Sequence, residues 1–352
     1  MYRNTKNVPY YVFGRGSLAQ LGDLLKPRRE AVDGPVVYFV DHFFRDHELI
    51  GRLPMEKGDQ LHFVDSSSEP EVTRIDAFKE AVSAADSRTP CCVVGIGGGN
   101  ALDTAKAVAN LLTNPGKAED YQGWELVKNP AVYKIGIPTL SGTGSECSRT
   151  CVLTNIPKNL KLGMNSDYTV YDQLLLDPDL LATVPRDQYF YTGIDTFMHC
   201  SYRNAIIDAF SVRAVQLCEE IFLSDDMMSE ENREKMMIAS YIGGMAAGNV
   251  GVIHPFSAGL GVVLHVAHGL GNCLALNVLG DIYPKEYKQF RTMIERQGVN
   301  LPTGICKDLT EEQYEGLYRG CIVHEKPLTN ALGPDFKQIL TRENLIERYK
   351  SI

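Results

Sequence analysis

The sequence predicts an α/β domain built on a parallel sheet, followed by a mostly helical domain. Three observations predict it. The chain has 352 residues, and at about 150 residues per domain that length calls for two. Short apolar runs alternate with helical patterns through the first half, the signature of strands joined by crossover helices. Beyond residue 180 strand signals thin out and helical spacing takes over. The expected division is therefore 1–180 and 181–352. With 44 acidic against 35 basic residues the net charge is −9, and 44% of residues are hydrophobic. Such a composition folds, and without a basic cluster it offers nucleic acid no footing.

Taken in order, PVVYFVD (35–41) and LHFVD (61–65) read as short strands, each ending in an acid. VTRIDAFKEAVSAAD (72–86) sets Val72, Ile75, Phe78 and Ala81 or Val82 on one helical face. CCVVGIGGGN (91–100) is a buried strand running into a glycine turn, and ALDTAKAVANLLTN (101–114) a helix. YKIGIPTLSGTGSE (133–146) repeats the strand-then-glycine form. From Gln188 helical patterns dominate. Met236 to Gly280 holds no Asp, Glu, Lys or Arg, yet carries three of the eight histidines. Nine glycines, Pro255 and the histidines argue against a membrane span there. MYRNTKNVPYYVFGRG has no apolar core of a signal peptide. Nine scattered cysteines without a CxxC pair fit a reducing cytoplasm.

Two glycine-rich turns carry the first chemistry. Gly97, Gly98, Gly99 and Asn100 stand between a strand and a helix, where backbone N–H groups can receive a pyrophosphate. A plain βα turn reads the same way. The Rossmann fingerprint is absent, with no acid at its usual downstream place. Asp41, ending the first strand, can instead accept from an adenosine ribose and repel a 2′-phosphate, or simply cap a helix. Thr139 to Glu146 forms a second loop dense in hydroxyls and glycine, able to wrap a phosphate or ribose.

Asp195 and His199 are four apart, hence on one helical face. His254 lies in the uncharged run and His268 follows 14 residues later. One carboxylate and three imidazoles suit Fe²⁺ or Zn²⁺; buried histidines satisfied by carbonyls are the alternative. His265, three before His268, would share its helical face. Arg203 continues the series from Asp195 and His199, placing a guanidinium about one turn, ~5.4 Å, further on. It can clamp a substrate carboxylate or pair with a nearby acid. Arg149 beside the second loop is a further anion contact.

The motifs GIGGGNALDTAKAVA, IPTLSGTGSECSRTCVLTN, LLLDPDLLATVP, GIDTFMH and HPFSAGLGVVLHVAHGLGN occur in the order seen in iron-dependent (group III) alcohol dehydrogenases. The resemblance covers roughly Tyr11 to Tyr283. It implies a dehydroquinate synthase-like fold, with an N-terminal NAD-binding α/β domain and an all-α C-terminal metal-binding domain. It implies Asp195, His199, His254 and His268 as ligands of one divalent metal, Fe²⁺ or Zn²⁺. Gly98, Gly99, Asn100 and Asp103 match the pyrophosphate turn; Thr139, Leu140, Thr143, Ser145 and Lys161 match positions that contact NAD, and Asp41 the one that selects it. His265 and Arg203 are the expected catalytic residues, in a cytoplasmic homodimer. Departures are Asn100 for Ser, Leu140 for Thr, Tyr202 for an acid, and Ala258 where many members carry a histidine for proton relay. Within the family the chain resembles the branch of 3-deoxy-D-manno-octulosonate (Kdo) 8-oxidases, whose aldehyde product passes to a PLP-dependent aminotransferase. A small-alcohol or polyol dehydrogenase and a dehydroquinate-synthase-like cyclase remain the alternatives.

Overall fold

The computed structural model describes residues 6–158, 160–200, 208–247 and 250–352. Two compact units result: Met1–Leu140, Ser145–Asn155 and Leu162–Thr183 form one, and Ser141–Gly144, Ile156–Lys161 and Val184–Ile352 the other. The main crossing thus lies three residues past the expected Leu180. Two short segments that the sequence reading gave to the first domain cluster with the second, and one of them contains Lys161.

The first unit holds strands β1 (Tyr10–Phe13), β2 (Val36–Asp41), β3 (Gln60–Val64), β4 (Cys92–Gly97), β5 (Gly123–Trp124), β6 (Lys134–Pro138), β7 (Thr150–Asn155), most of β8 (Leu160–Asn165) and β9 (Gln173–Leu176). Its helices are α1 (Leu21–Ala31), α2 (Val72–Ala85) and α3 (Gly99–Leu111). The main sheet runs β1-β9-β6-β4-β2-β3, with every pair parallel. Alternate side chains explain why the central strands read as unbroken apolar runs. Val37, Phe39 and Val93 face one core with α2 and α3, while Val36, Tyr38, Val40, Val94 and Ile96 face another with α1. The second glycine loop leads into a small sheet, β5-β8-β7, which the sequence reading did not foresee.

Asp59 fixes the start of β2. Its carboxylate receives both Arg29 Nη1 (2.9 Å) and Nη2 (2.6 Å), and the N–H groups of Val36 and Glu56. Burial pushes the acid's pKa up, but the guanidinium and two amides outweigh it and hold it below the usual value of 3.8. A depressed carboxyl binds fewer protons folded than unfolded, so its stabilisation is present above 3.8 and is lost as pH falls below. Urea midpoints are therefore expected to drop between pH 5 and pH 3, and less steeply in Asp59→Asn.

The second unit is helical: α4 (Arg186–His199), α5 (Asp208–Phe222), α6 (Glu230–Ala246), α7 (Ile253–Leu264), α8 (His268–Val278), α9 (Pro284–Gln297), α10 (Glu311–Ile322), α11 (Glu325–Leu332), α12 (Phe336–Ile339) and α13 (Arg342–Lys350). The uncharged run becomes the end of α6 with α7 and α8. α8 packs on α4 because Gly269 has no side chain: a Cβ there would lie 2.9 Å from the Tyr191 carbonyl oxygen. Among the described residues no helix is long and apolar enough to cross a membrane.

Candidate metal centre and cofactor turns

Three helix ends meet at one point. α4 carries Asp195 and, one turn on, its last residue His199. His254 lies in the first turn of α7, and His268 opens α8. Asp195 is wholly buried and His199 nearly so. His254 Nε2 lies 3.0 Å from both Asp195 Oδ1 and His199 Nε2. His199 Nε2 is 3.4 Å from the same carboxylate oxygen, and His268 Nε2 is 3.5 Å from Oδ2. The donor atoms of Asp195, His254 and His268 all fall within 4.8 Å of one another. The expected ligand set is therefore brought together, and from three separate stretches of chain.

The electrostatics call for a cation. His254 Nδ1 sits 3.2 Å from the Val250 carbonyl oxygen; donating there fixes the tautomer and turns the Nε2 lone pair towards His199. Two imidazole nitrogens facing each other at 3.0 Å repel unless a proton or metal lies between them. Burial would raise Asp195, but His199, His268 and His254 outweigh it and hold the acid well below the carboxylate range. Burial likewise pushes His199 down to about 4, so it is neutral and ligand-competent at pH 7. Asp195 Oδ2, buried, has no hydrogen-bond partner among the described residues. A charged acceptor, a neutral imidazole at His199 and two further imidazoles converging on the same point form the donor set that a hard-to-borderline divalent ion takes.

Asn272 was missed in the sequence, although HGLGN spaces it four from His268, as Asp195 is from His199. Its Nδ2 donates to Asp195 Oδ1 at 2.8 Å and lies 3.2 Å from His268 Nε2. It orients two donors at once. Asn272→Leu is expected to weaken metal binding about 10–100-fold, measured by competition with a chelating dye.

His265 does not join the group. α7 ends there, with His265 as a left-handed cap at φ 55°, and α8 starts three residues later. The shared helical face with His268 does not exist, because the helix breaks between them; His265 is exposed. Arg203 and Tyr202 lie outside the described residues. Arg149 is already paired, with Asp167 at 2.7 Å and Glu125 at 2.5 Å, so it is not a free anion contact.

In the first unit, Gly98 is the N-cap of α3 and provides no side-chain cap, leaving the first-turn N–H groups of Gly99 and Asn100 to an anion. Gly97 takes φ 151°, and a Cβ would strike Ala101 and Asp41; only glycine fits. Asp41 stands beside that turn while its Oδ1 accepts from Phe43 N, so the capping alternative is realised too. Asn100 Nδ2 donates to the Ser68 carbonyl. Thr139 N donates to the Gly97 carbonyl, joining the two turns, and Leu140 packs on Gly98. Asp103 and Ser145 bond each other. In the second unit, Gly142 takes φ 144° against α4, and its carbonyl accepts from Thr196 Oγ1. Thr143 belongs to the same segment, and Lys161 is buried with its Nζ near Gly261 of α7.

A parallel α/β unit with a phosphate-ready helix terminus and a helical unit holding an Asp-His₃ cluster define a class, two-unit proteins that pair a candidate nucleotide turn with a candidate metal centre. The iron-containing alcohol dehydrogenase model matches residues 9–178, and the C-terminal model of the Fe-containing alcohol dehydrogenase family matches 189–316. The chain belongs to the iron-containing alcohol dehydrogenase family. The expectation of an NAD-dependent, metal-containing alcohol dehydrogenase is borne out at the level of that family. Sulfoacetaldehyde reductase of Bilophila wadsworthia is 34% identical over 59% of this chain and 56% of its own length. NAD-dependent methanol dehydrogenase of Bacillus methanolicus is 29% identical over 75% and 71%. The chain thus spans little more than half of the first relative and under three quarters of the second. The solved structure of Oenococcus oeni alcohol dehydrogenase shares the fold, with TM-score 0.82, 20% identity and 99% of both chains covered. So does sulfoacetaldehyde reductase from Bifidobacterium kashiwanohense in complex with NAD⁺, with TM-score 0.78, 24% identity and 99% and 98% covered.

Proposed function

We propose that this chain interconverts a primary alcohol and its aldehyde with NAD and one divalent metal, on an acidic substrate. The observation that carries this is the convergence of Asp195 Oδ1 with the Nε2 atoms of His199 and His254 at 3.0–3.4 Å, His268 beside them. A bound divalent cation supplies the Lewis acidity that makes an alcohol hydroxyl easier to ionise. The chain does the rest. Asp195 contributes the one negative charge, Val250 and Asn272 fix ring and carboxylate orientation, and the uncharged helices α7 and α8 keep competing charge away. The N-terminus of α3 takes the pyrophosphate, and Asp41 repels a 2′-phosphate. Asp41→Ala is therefore expected to improve use of NADP⁺ by about tenfold, the equivalent of ~1.4 kcal/mol, read as kcat/KM for each cofactor.

The specific substrate we propose is Kdo, oxidised at its C8 hydroxyl, the aldehyde then passing to a PLP-dependent aminotransferase. Support comes from the sequence resemblance to that branch and from Arg203, whose spacing of four from His199 in the sequence suggests a carboxylate clamp. The Bilophila relative, named for sulfoacetaldehyde, supports a second reading of the same kind, reduction of a small anionic aldehyde. Metal analysis with an NAD-reduction screen over Kdo, simple alcohols and polyols, and NADH oxidation by sulfoacetaldehyde, separates these. Steady NADH production also excludes a cyclase that uses NAD transiently. No turnover of any of them would end the dehydrogenase reading. An unchanged KM for Kdo in Arg203→Ala would remove the carboxylate clamp.

A further inference from the structure

One glycine of the second loop is gripped by the helix that carries two of the metal ligands. Gly142 lies in the segment Ser141–Gly144, which belongs to the second unit together with α4 and α6. Its carbonyl accepts from Thr196 Oγ1 of α4 at 2.8 Å, and its N–H donates to Ser240 Oγ of α6 at 2.8 Å. Thr196 and Ser240 are wholly buried, so a peptide group that lost its hydroxyl would stay unpaired. The fit around these bonds is close. A Cβ on Gly142 would strike the Thr192 carbonyl of α4, and one on Gly144 the Gly244 backbone of α6. Thr196 also closes the crossing of the two helices, since a Cβ on Gly243 would lie 2.7 Å from its Cγ2.

On α4, Thr192 and Thr196 stand four apart and line one face, while Asp195 and His199 line the next. Asp195, Thr196 and His199 share the last turn, because the helix ends at His199. That turn responds to the metal. With the centre empty, the Nε2 atoms of His199 and His254 face each other at 3.0 Å and push apart. A divalent ion would draw Asp195 and His199 onto His254, and Thr196, bonded directly to Asp195 in the chain, must follow. We propose that Thr196 and Ser240 are positioning residues that link the two cofactors. A filled metal centre holds the last turn of α4, the turn holds Gly142, and the loop so held binds NADH more tightly. The link rests on the dehydrogenase reading above. By thermodynamic reciprocity NADH raises the affinity for the metal by the same factor.

The test measures the dissociation constant of NADH from its fluorescence, on the full chain freed of metal and again with saturating Zn²⁺. In wild type Zn²⁺ is expected to tighten NADH by ~5–150-fold, the usual range for coupled sites. Thr196→Val keeps the shape and removes the donor; Ser240→Ala removes the acceptor. In each the ratio should fall towards one, whereas Thr196→Ser, which keeps the hydroxyl, should retain the wild-type ratio. Zn²⁺ affinity with and without NADH should change by the same factor in every protein. A merely structural role would lower the unfolding midpoint and leave the ratio alone. A wild-type ratio in Thr196→Val and Ser240→Ala therefore overturns the link, as does a Thr196→Ser that behaves like the valine variant. A wild-type chain that binds no NADH with or without Zn²⁺ overturns the NAD-dependent reading and the link together. Wild-type NADH binding that is indifferent to Zn²⁺ overturns the link alone.

Discussion

Asp195→Asn is expected to abolish stoichiometric metal binding and, with it, NAD reduction. Asp195 is the only anionic donor among the four, and its side chain is wholly buried. Removing one charge from a buried, paired set costs about 3–5 kcal/mol, which at ~1.4 kcal/mol per tenfold is roughly 10²–10⁴-fold in metal affinity. Asparagine keeps the shape, so packing of α4 against α8 should survive. The metal-free protein should even tolerate the change well, because the wild-type carboxylate bears a desolvation cost that the neutral amide does not. Thermal unfolding separates the two effects. In wild type, added Zn²⁺ should raise the midpoint by mass action; in Asp195→Asn that rise should vanish while the metal-free midpoint stays close to wild type. A variant that still binds one ion at wild-type affinity would show that the cluster is not the metal centre.

How much of this was legible beforehand differs by element. β2 and β4 were plain in sequence because both faces of a parallel sheet are buried, so their residues are apolar throughout. β1 was not: as an edge strand with exposed Tyr10, Tyr11 and Phe13 it has no burial pattern to read. Spacing found Asp195 with His199 because one helix carries both. The same spacing joins His268 to Asn272, but an amide carries no charge and drew no notice. His254 reaches the cluster only through the packing of α7, which no local pattern encodes; the uncharged run marked it as a candidate, and the ordered motifs of the resemblance implied it as a ligand. His265 misled because the helix breaks at a non-glycine left-handed residue, a conformation the sequence does not announce.

Lys106→Met is expected to destabilise the first unit by about 3–5 kcal/mol, the cost of stranding one partner of a buried ion pair. Lys106 has no exposed side-chain surface and sits 3.2 Å from Asp103 Oδ1. It also donates to the Ser145 carbonyl at 2.8 Å, to Ser148 Oγ at 3.2 Å and to the Thr150 carbonyl. Asp103 in turn accepts from Ser145 Oγ and from Val152 N. One lysine and one aspartate on α3 thus hold the segment from Ser145 to Val152, the approach to β7, against the helix that starts at the glycine turn. The loss is a large share of the ~5–15 kcal/mol that typically separates folded from unfolded protein, and should lower the unfolding midpoint by on the order of 10 °C. Asp103→Asn added to Lys106→Met should recover part of it, since the stranded charge is gone although three carbonyl and hydroxyl acceptors remain unserved. The pair of variants also tests what Asp103 and Ser145 are for. Both match cofactor positions in the resemblance, yet both carboxylate oxygens and the serine hydroxyl are occupied within the unit. If their task is to shape the turn, NADH affinity should fall in step with stability across the single and double variants. If they touch the cofactor themselves, affinity should stay low in the double variant after stability has partly returned.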